Sequence, residues 1–330
     1  MTRRSFAFTA GAAALARAET RASMGVAWTS FMTARKPKDS VEFLEYAHSL
    51  GAAGIQTPLS STETAYLRRL RDAAERYGMY LETMASLPKE DSATFERTVA
   101  ASREAGAVAV RVGCLSGRRY ETFSTLDEWK QWSDGARTSV FRAAPIVEKH
   151  KASLAIENHK DWTSAELSAM LRQISSEYVG ACLDTGNNIA LLEDPYDVAE
   201  ALAPFTLSTH LKDMAMRQTE DGFELSEMPL GEGALDVARI VRMIASARPK
   251  TRITLEMITR NPLRVPCLTT KYWATFPDRS GYALARTFSL IRQRPVRALP
   301  RIDGMDAARL AALEEQNVRK CLAWAAARLG

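Results

Sequence analysis

The chain has 330 residues, 46% hydrophobic and 25% charged, enough for one large or two ordinary soluble domains with a full core. Its formal net charge of +5 contains no Lys/Arg block. Deleting residues 1–18 removes three arginines and no acid, which brings the charge to about +2, and no nucleic-acid partner is expected. With four histidines and four cysteines, a centre made of many imidazoles is hard to build. No CxxC pair is present, and Cys114 and Cys182, set in apolar runs, read as free buried thiols.

The first residues, MTRRSFAFTAGAAALARAET, carry an Arg3-Arg4 pair, a mildly apolar stretch from Phe6 to Ala16 and an Ala16-Arg17-Ala18 cleavage-like site. That is the pattern of a twin-arginine export signal over residues 1–18, followed by one domain over 19–330. The expected location is periplasmic or exported. The apolar stretch is too short to span a bilayer, and no other run is long enough, so the mature form is not expected in a membrane.

Eight strand-then-helix units follow. Residues 22–28 are a short apolar strand, and 39–50 a helix with Asp39 or Ser40 at its start and Gly51 past its end. Residues 54–58 form the second strand, 61–77 a charged helix stopped by Gly78, 79–87 the third strand and 92–105 a helix stopped by Gly106. The fourth strand, 107–114, is almost continuously apolar, the mark of a parallel strand buried on both faces. A long helical stretch, 125–150, contains Pro145, which predicts a kink or a break there. Strand five is 153–157, helix five 164–174, strand six 179–183, helix six 197–202 and strand seven 206–210. A polar excursion, 214–233, precedes helix seven at 236–246 and strand eight at 251–257. The remainder, 258–330, reads as a long loop rich in proline and aromatics (261–279), with Lys271, Tyr272, Trp273 and Phe276 as lid candidates, then helices at 281–292 and 303–328. The alternation predicts a (β/α)8 TIM barrel with a C-terminal helical extension. No glycine-rich dinucleotide fingerprint follows the first strand, and Gly231-Glu232-Gly233 lacks the lysine of a phosphate loop.

Four of these strands end in a residue able to bind metal: Glu157, Asp184, His210 and Glu256. Side chains at the carboxyl ends of barrel strands converge on the mouth. Three carboxylates and one imidazole make an oxygen-rich set that suits Mn²⁺, Mg²⁺ or Co²⁺ better than a structural zinc. Crowded carboxylates also repel one another without a cation between them.

The segments IENH, CLDTGN, THLKD, PLGEG and TLEMI, in this order, resemble the xylose isomerase-like barrel superfamily, also called the sugar phosphate isomerase/epimerase family. The resemblance covers about residues 22–295. It implies that Glu157, Asp184, His210 and Glu256 are the metal ligands, with Mn²⁺ first in line and Zn²⁺ also admissible. It further implies that Glu157 and Glu256 are the acid/base pair of an isomerase or epimerase acting on a sugar or keto-sugar. A proton next to a carbonyl would be removed, an enediolate formed, and the proton returned. A homodimer is a common arrangement among such barrels.

The sequence departs from the ketose 3-epimerase pattern after the aspartate, where Asn187 and Asn188 replace a histidine. His159, two residues past Glu157, is a candidate base or substrate ligand, the alternative being a solvent-facing loop histidine. Lys212 is a candidate for holding a substrate oxygen, and Asp213 for shaping the next turn. Glu82 and Arg111 are candidates for reaching the mouth, with interior ion pairs as the alternative. Trp28 is a candidate sugar-stacking wall or plain core. A lyase or dehydratase acting on a 3-keto-glycoside is the second expectation, since it shares the first chemical step.

Overall fold

The computed structural model describes residues 23–34 and 36–329; the expected export signal lies outside them. Eight parallel strands form the barrel: β1 (Met24–Ala27), β2 (Gly54–Pro58), β3 (Tyr80–Met84), β4 (Ala109–Val112), β5 (Leu154–Glu157), β6 (Val179–Asp184), β7 (Thr206–His210) and β8 (Ile253–Leu255). Seven consecutive pairings run β8-β1-β2-β3-β4-β5-β6-β7. The ring closes through a parallel bridge between Leu211 and Leu255, with Leu211 N donating to Thr254 O at 2.8 Å and Glu256 N to Leu211 O at 3.1 Å. Closure removes the sheet edge and brings the ends of β7 and β8 side by side.

Seven helices alternate with the strands: α1 (Ser40–Ser49), α2 (Thr64–Tyr77), α3 (Ala93–Glu104), α4 (Leu126–Lys149), α5 (Ser164–Ile174), α6 (Pro195–Leu202) and α7 (Val237–Ala247). Their starts are set by local chemistry. Asp39 accepts from the N–H groups of Val41 and Glu42, and Thr125 and Thr163 each form a capping box with a glutamate three residues on, satisfying donors that a helix end leaves free. The cores lie between the sheet and these helices, with Val110, Val112, Leu154, Ile156 and Leu183 on one side of the ring and Val26, Ile55 and Leu81 on the other.

Two expectations need correction. Pro145 neither splits nor ends its helix, since α4 runs through it from Leu126 to Lys149. The carbonyl that proline frees belongs to Phe141, a half-exposed residue, so the lost bond falls on a turn open to water. The polar excursion at 214–233, to which the sequence assigns no element, is largely regular. Strands Asp213–Gln218 and Phe223–Met228 form an antiparallel hairpin, and Leu263–Val265 pairs with its second strand. Phe223 and Leu225 are buried in it, and Asp221-Gly222 sits at its turn, a dipeptide that favours hairpins.

Past the barrel, α8 (Gly281–Gln293) and α9 (Ala307–Arg328) pack back on the body. Glu314 of α9 accepts from the backbone N–H groups of Thr33 and Ala34, which fixes the loop after β1. Among the described residues, no helix is long and apolar enough to cross a membrane.

Candidate metal centre and active site

Glu157 and Asp184 are the last residues of β5 and β6, His210 is the last of β7, and Glu256 follows β8 directly. One ligand atom from each of these four buried residues lies within 4.8 Å of the others. The imidazole is central: His210 Nδ1 stands 3.3 Å from Glu157 Oε1, 3.5 Å from Glu256 Oε2 and 3.9 Å from Asp184 Oδ2. Two ligands about 2.1 Å from a shared ion stand roughly 3.0–3.4 Å apart at octahedral or tetrahedral angles; the Glu157 separation has that spacing, the Glu256 one is close to it, and Asp184 stands farther off. His210 Nδ1 and Asp184 Oδ2 are both buried without a hydrogen-bond partner. The Lys212 ammonium lies 2.9 Å from that oxygen but outside hydrogen-bonding directions. Buried polar atoms are rarely left unsatisfied, and a divalent cation at their meeting point satisfies both. The residues present therefore fit a divalent metal.

Each ligand is held by groups around it. Asp184 Oδ1 accepts from the N–H groups of Gly186 (2.8 Å) and Asn187 (2.7 Å), leaving Oδ2 for the centre. Asn158 locks β5 to β6: its side chain donates to Asp184 O at 2.9 Å and accepts from Asp184 N at 2.7 Å. His210 Nε2 is 2.7 Å from Gln56 Oε1. Gln56 in turn donates to Glu82 Oε2 (3.0 Å) and Ser208 Oγ (3.3 Å). With that amide orientation the oxygen can only accept, so a neutral His210 carries its proton on Nε2 and turns the lone pair of Nδ1 to the carboxylates.

Around the ligands stands a ring of cations. Lys212 Nζ is 2.6 Å from Glu256 Oε2. Burial alone would raise the Glu256 carboxyl, but the charges of a protonated His210 and of Lys212 hold it well below the usual range. Thr29 Oγ1 donates to Glu256 Oε1 at 2.6 Å. Arg111 pairs with Glu157 Oε2, and Asn187 Nδ2 donates to Glu157 Oε1 at 3.0 Å. Behind Lys212, Arg260 pairs with the buried Glu227.

The sequence candidates divide as follows. Glu157, Asp184, His210, Glu256, Asn187, Lys212 and Arg111 converge on one centre. His159 lines a cleft of about 650 Å³ beside it, together with Arg111, Trp132, Lys89, Ser116 and Gln131. Its Nδ1 is buried and has no partner. Burial, then the charges of Lys160 and Lys212, push its imidazole well below the ordinary histidine value, so it is neutral. Glu82 is fully buried inside the barrel, bonded to Gln56, Ser208 and Thr254. It is neither at the mouth nor in an ion pair; it supports Gln56. Trp28 is half-buried against the edge of Phe43, 5.4 Å between ring centres. Asp213 shapes the turn as expected, accepting from the N–H groups of Met214, Gly231, Gly233 and Leu235. A β-carbon on Gly233 would collide with that carboxylate, which accounts for the last glycine of PLGEG. Tyr272 and Phe276 are buried rim packing, stacked 5.3 Å apart, with the Arg119 guanidinium over Phe276. All four cysteines are free.

Sequence reasoning missed Gln56, Thr29, Asn158 and Lys160. Gln56 lies mid-strand, 154 residues from the histidine it orients, and no local pattern marks it. Lys160 follows His159 in the loop after β5, where a lysine ordinarily reads as solvated.

A barrel whose strand ends gather three carboxylates and one histidine defines a class of metal-site enzyme scaffolds. The chain belongs to the xylose isomerase-like TIM barrel family, whose model matches residues 44–276. It is 27% identical over 231 residues to 3-oxo-isoapionate decarboxylase of Pectobacterium atrosepticum, covering 68% of this chain and 78% of that protein. The fold is shared with D-psicose 3-epimerase, solved in the presence of D-fructose, at a TM-score of 0.61 and 16% identity, over 93% of this chain and 99% of that one. It is also shared with a xylose isomerase-like barrel protein from Mycobacterium smegmatis in complex with magnesium, at a TM-score of 0.56 and 16% identity, over 81% and 97% of the two chains.

Proposed function

We propose that this chain is a sugar-modifying enzyme that acts on a keto-sugar through an enediolate, in the first place as an isomerase or epimerase. The observation that carries this is the convergence of Glu157, Asp184, His210 and Glu256, with Asp184 Oδ2 and His210 Nδ1 buried and without a hydrogen bond. A divalent cation held by these four, Mn²⁺ by the oxygen-rich donor set with Mg²⁺, Co²⁺ or Zn²⁺ as alternatives, supplies a Lewis acid that stabilises charge on a carbonyl oxygen. Glu157, at the end of β5, and Glu256, just after β8, lie 3.3 and 3.5 Å from His210 Nδ1, and each can take up or return a proton. Lys212 and Arg111 steady those carboxylates and place positive charge where the enediolate oxygens form.

A lyase reading is favoured by a specific feature: both candidate bases are paired with cations, Glu157 with Arg111 and Glu256 with Lys212. Pairing lowers the basicity of a carboxylate. Elimination of a β-substituent from a 3-keto-glycoside needs one base rather than two, and loss of CO₂ from a 3-keto acid needs none. The similarity to 3-oxo-isoapionate decarboxylase supports the same direction.

The test is incubation of metal-loaded protein in D₂O with ketoses, 3-keto-glycosides and keto-acids. Metal-dependent deuterium uptake next to a carbonyl, lost in Glu256→Gln, supports the enediolate core, and an epimer, a freed aglycone or CO₂ then chooses the branch. Neither exchange nor product with any of them would overturn the reading. We further propose that the protein works outside the cytoplasm, on the strength of the Arg3-Arg4 leader. Transport of a reporter fused to residues 1–18, lost on Arg3→Lys/Arg4→Lys, checks this.

A further inference from the structure

Three cationic side chains among the described residues are buried to 3% exposure: Arg119, Lys160 and Lys212. Arg119 is paired with Glu166, and Lys212 with Asp184 and Glu256. Lys160 has no carboxylate within ion-pair distance among the described residues. Its ammonium donates to Asn187 Oδ1, a neutral amide oxygen that also lies 3.4 Å from Lys212 Nζ. Two ammonium groups thus share one uncharged acceptor, and that acceptor's own Nδ2 is bound to the metal-ligand candidate Glu157. The arrangement is rigid at its root, because the Lys160 carbonyl accepts from Arg119 N at 2.8 Å.

A buried charge without a partner is costly, and proteins ordinarily pair it. The cost is offset when a ligand brings the missing charge. The charge count agrees. Glu157, Asp184, Glu256, Glu227 and the buried Asp161 beside Lys160 bring five negative charges, and Arg111, Lys212, Arg260 and a protonated Lys160 bring four positive ones. A divalent cation then leaves the mouth at +1 with Lys160 protonated, an environment that favours an anion over a neutral sugar.

We propose that Lys160 and Lys212 form a carboxylate-binding subsite beside the metal centre, and that the substrate is therefore an oxidised sugar, a keto-sugar acid rather than a neutral keto-sugar. The proposal rests on the sugar-enzyme reading above and names its substrate class. A carboxylate oxygen reaching the two ammonium groups beside Asn187 Oδ1 supplies the negative charge that the neutral amide oxygen lacks. The burial that pushes Lys160 down to about 7 is relieved by the incoming charge, which favours proton uptake on binding.

The test is equilibrium binding to Mn²⁺-loaded protein of pairs that differ by an acid in place of an alcohol: 2-keto-D-gluconate against D-fructose, and D-glucuronate against D-glucose. Wild type should bind the acid of at least one pair about tenfold more tightly, or better, as one charge-assisted contact allows. Lys160→Met should bring that ratio to within about twofold with Mn²⁺ stoichiometry unchanged, and Lys160→Gln should do the same should the methionine variant fail to fold. No preference in any wild-type pair, or a preference that survives both substitutions, would overturn the subsite. Titration of Mn²⁺ in the same samples separates the two ideas. Metal binding without acid preference removes the subsite alone, whereas acid preference without metal binding removes the enediolate reading and leaves the subsite standing.

Discussion

Gln56 Oε1 and His210 Nε2 meet at 2.7 Å across the barrel interior, joining β2 to β7. The contact fixes which imidazole nitrogen carries the proton and therefore which one faces the carboxylates. Behind it, Glu82 Oε2 accepts from Gln56, Ser208 and Thr254, so the amide cannot turn over without breaking a buried network. Substituting Gln56 with methionine, close in volume but without an acceptor, should lower metal affinity about 10–100-fold while the barrel stays folded. Calorimetric titration of the metal-stripped variant measures this, with circular dichroism as the check on folding.

Removing the metal should also cost stability. With metal at 100 times its dissociation constant, linkage contributes about 2.7 kcal/mol, so adding EDTA should lower the melting temperature by roughly 5 °C in a chain of this size. Readdition of Mn²⁺ should restore it. A midpoint indifferent to both would mean that the three carboxylates are neutralised by Lys212, Arg111 and a protonated His210 instead.

Lys160 gives a pH dependence with a definite sign. Burial, with the nearby charges of Lys212 and Arg260, pushes its ammonium from 10.5 down to about 7. Between those values the unfolded chain holds a proton that the native chain lacks, so this group makes stability rise with pH from about 7 to about 10. Below pH 7 the full penalty of burying the charge is present. Lys160→Met should therefore stabilise the ligand-free protein at pH 6 by roughly 2–4 kcal/mol, and the gain should vanish near pH 10. Melting curves of both proteins across that range decide it.

Arg119 ties three parts of the rim together. It pairs with Glu166 and donates to Thr275, and its guanidinium lies over the rings of Trp129 and Phe276. Arg119→Met should destabilise the fold by about 3 kcal/mol, the cost of breaking a buried pair. Because the segment around Thr275 and Phe276 loses its anchor, proteolysis within residues 263–279 should speed up. An unchanged cleavage rate there would show that Tyr272, whose hydroxyl donates to Ala190 O at 2.9 Å, holds the segment by itself.

The barrel was legible because its strands are buried on both faces and its helices carry explicit end signals: Asp39, Thr125, Thr163 and Gly78 all do locally what their residue types dictate. The four metal-ligand candidates were legible for a related reason, since a repeated unit puts each at the same place, the end of an apolar run. Residues that act across the ring carried no such mark. Gln56 and Glu82 look like ordinary strand residues until β2, β3 and β7 are assembled. Lys160 looks like a surface lysine until Asn187 and Lys212 close over it. The hairpin at 213–228 looks polar in sequence because charged residues such as Glu224 alternate with the buried Phe223 and Leu225, and its one local signal is the Asp221-Gly222 turn. Pro145 carries no local mark of which face of its helix the lost bond falls on, and that face is open to water at Phe141.

The central claim is that Glu157, Asp184, His210 and Glu256 together hold one divalent metal. Its most direct measurement is Mn²⁺ titration of the metal-stripped protein beside Asp184→Asn, which keeps the shape of the carboxylate and removes its charge. The account predicts one Mn²⁺ per chain in the wild type and binding at least about 100-fold weaker in the variant, the scale of losing a charged ligand rather than a supporting contact. Absence of stoichiometric binding in the wild type, or equal binding in the two proteins, would contradict it.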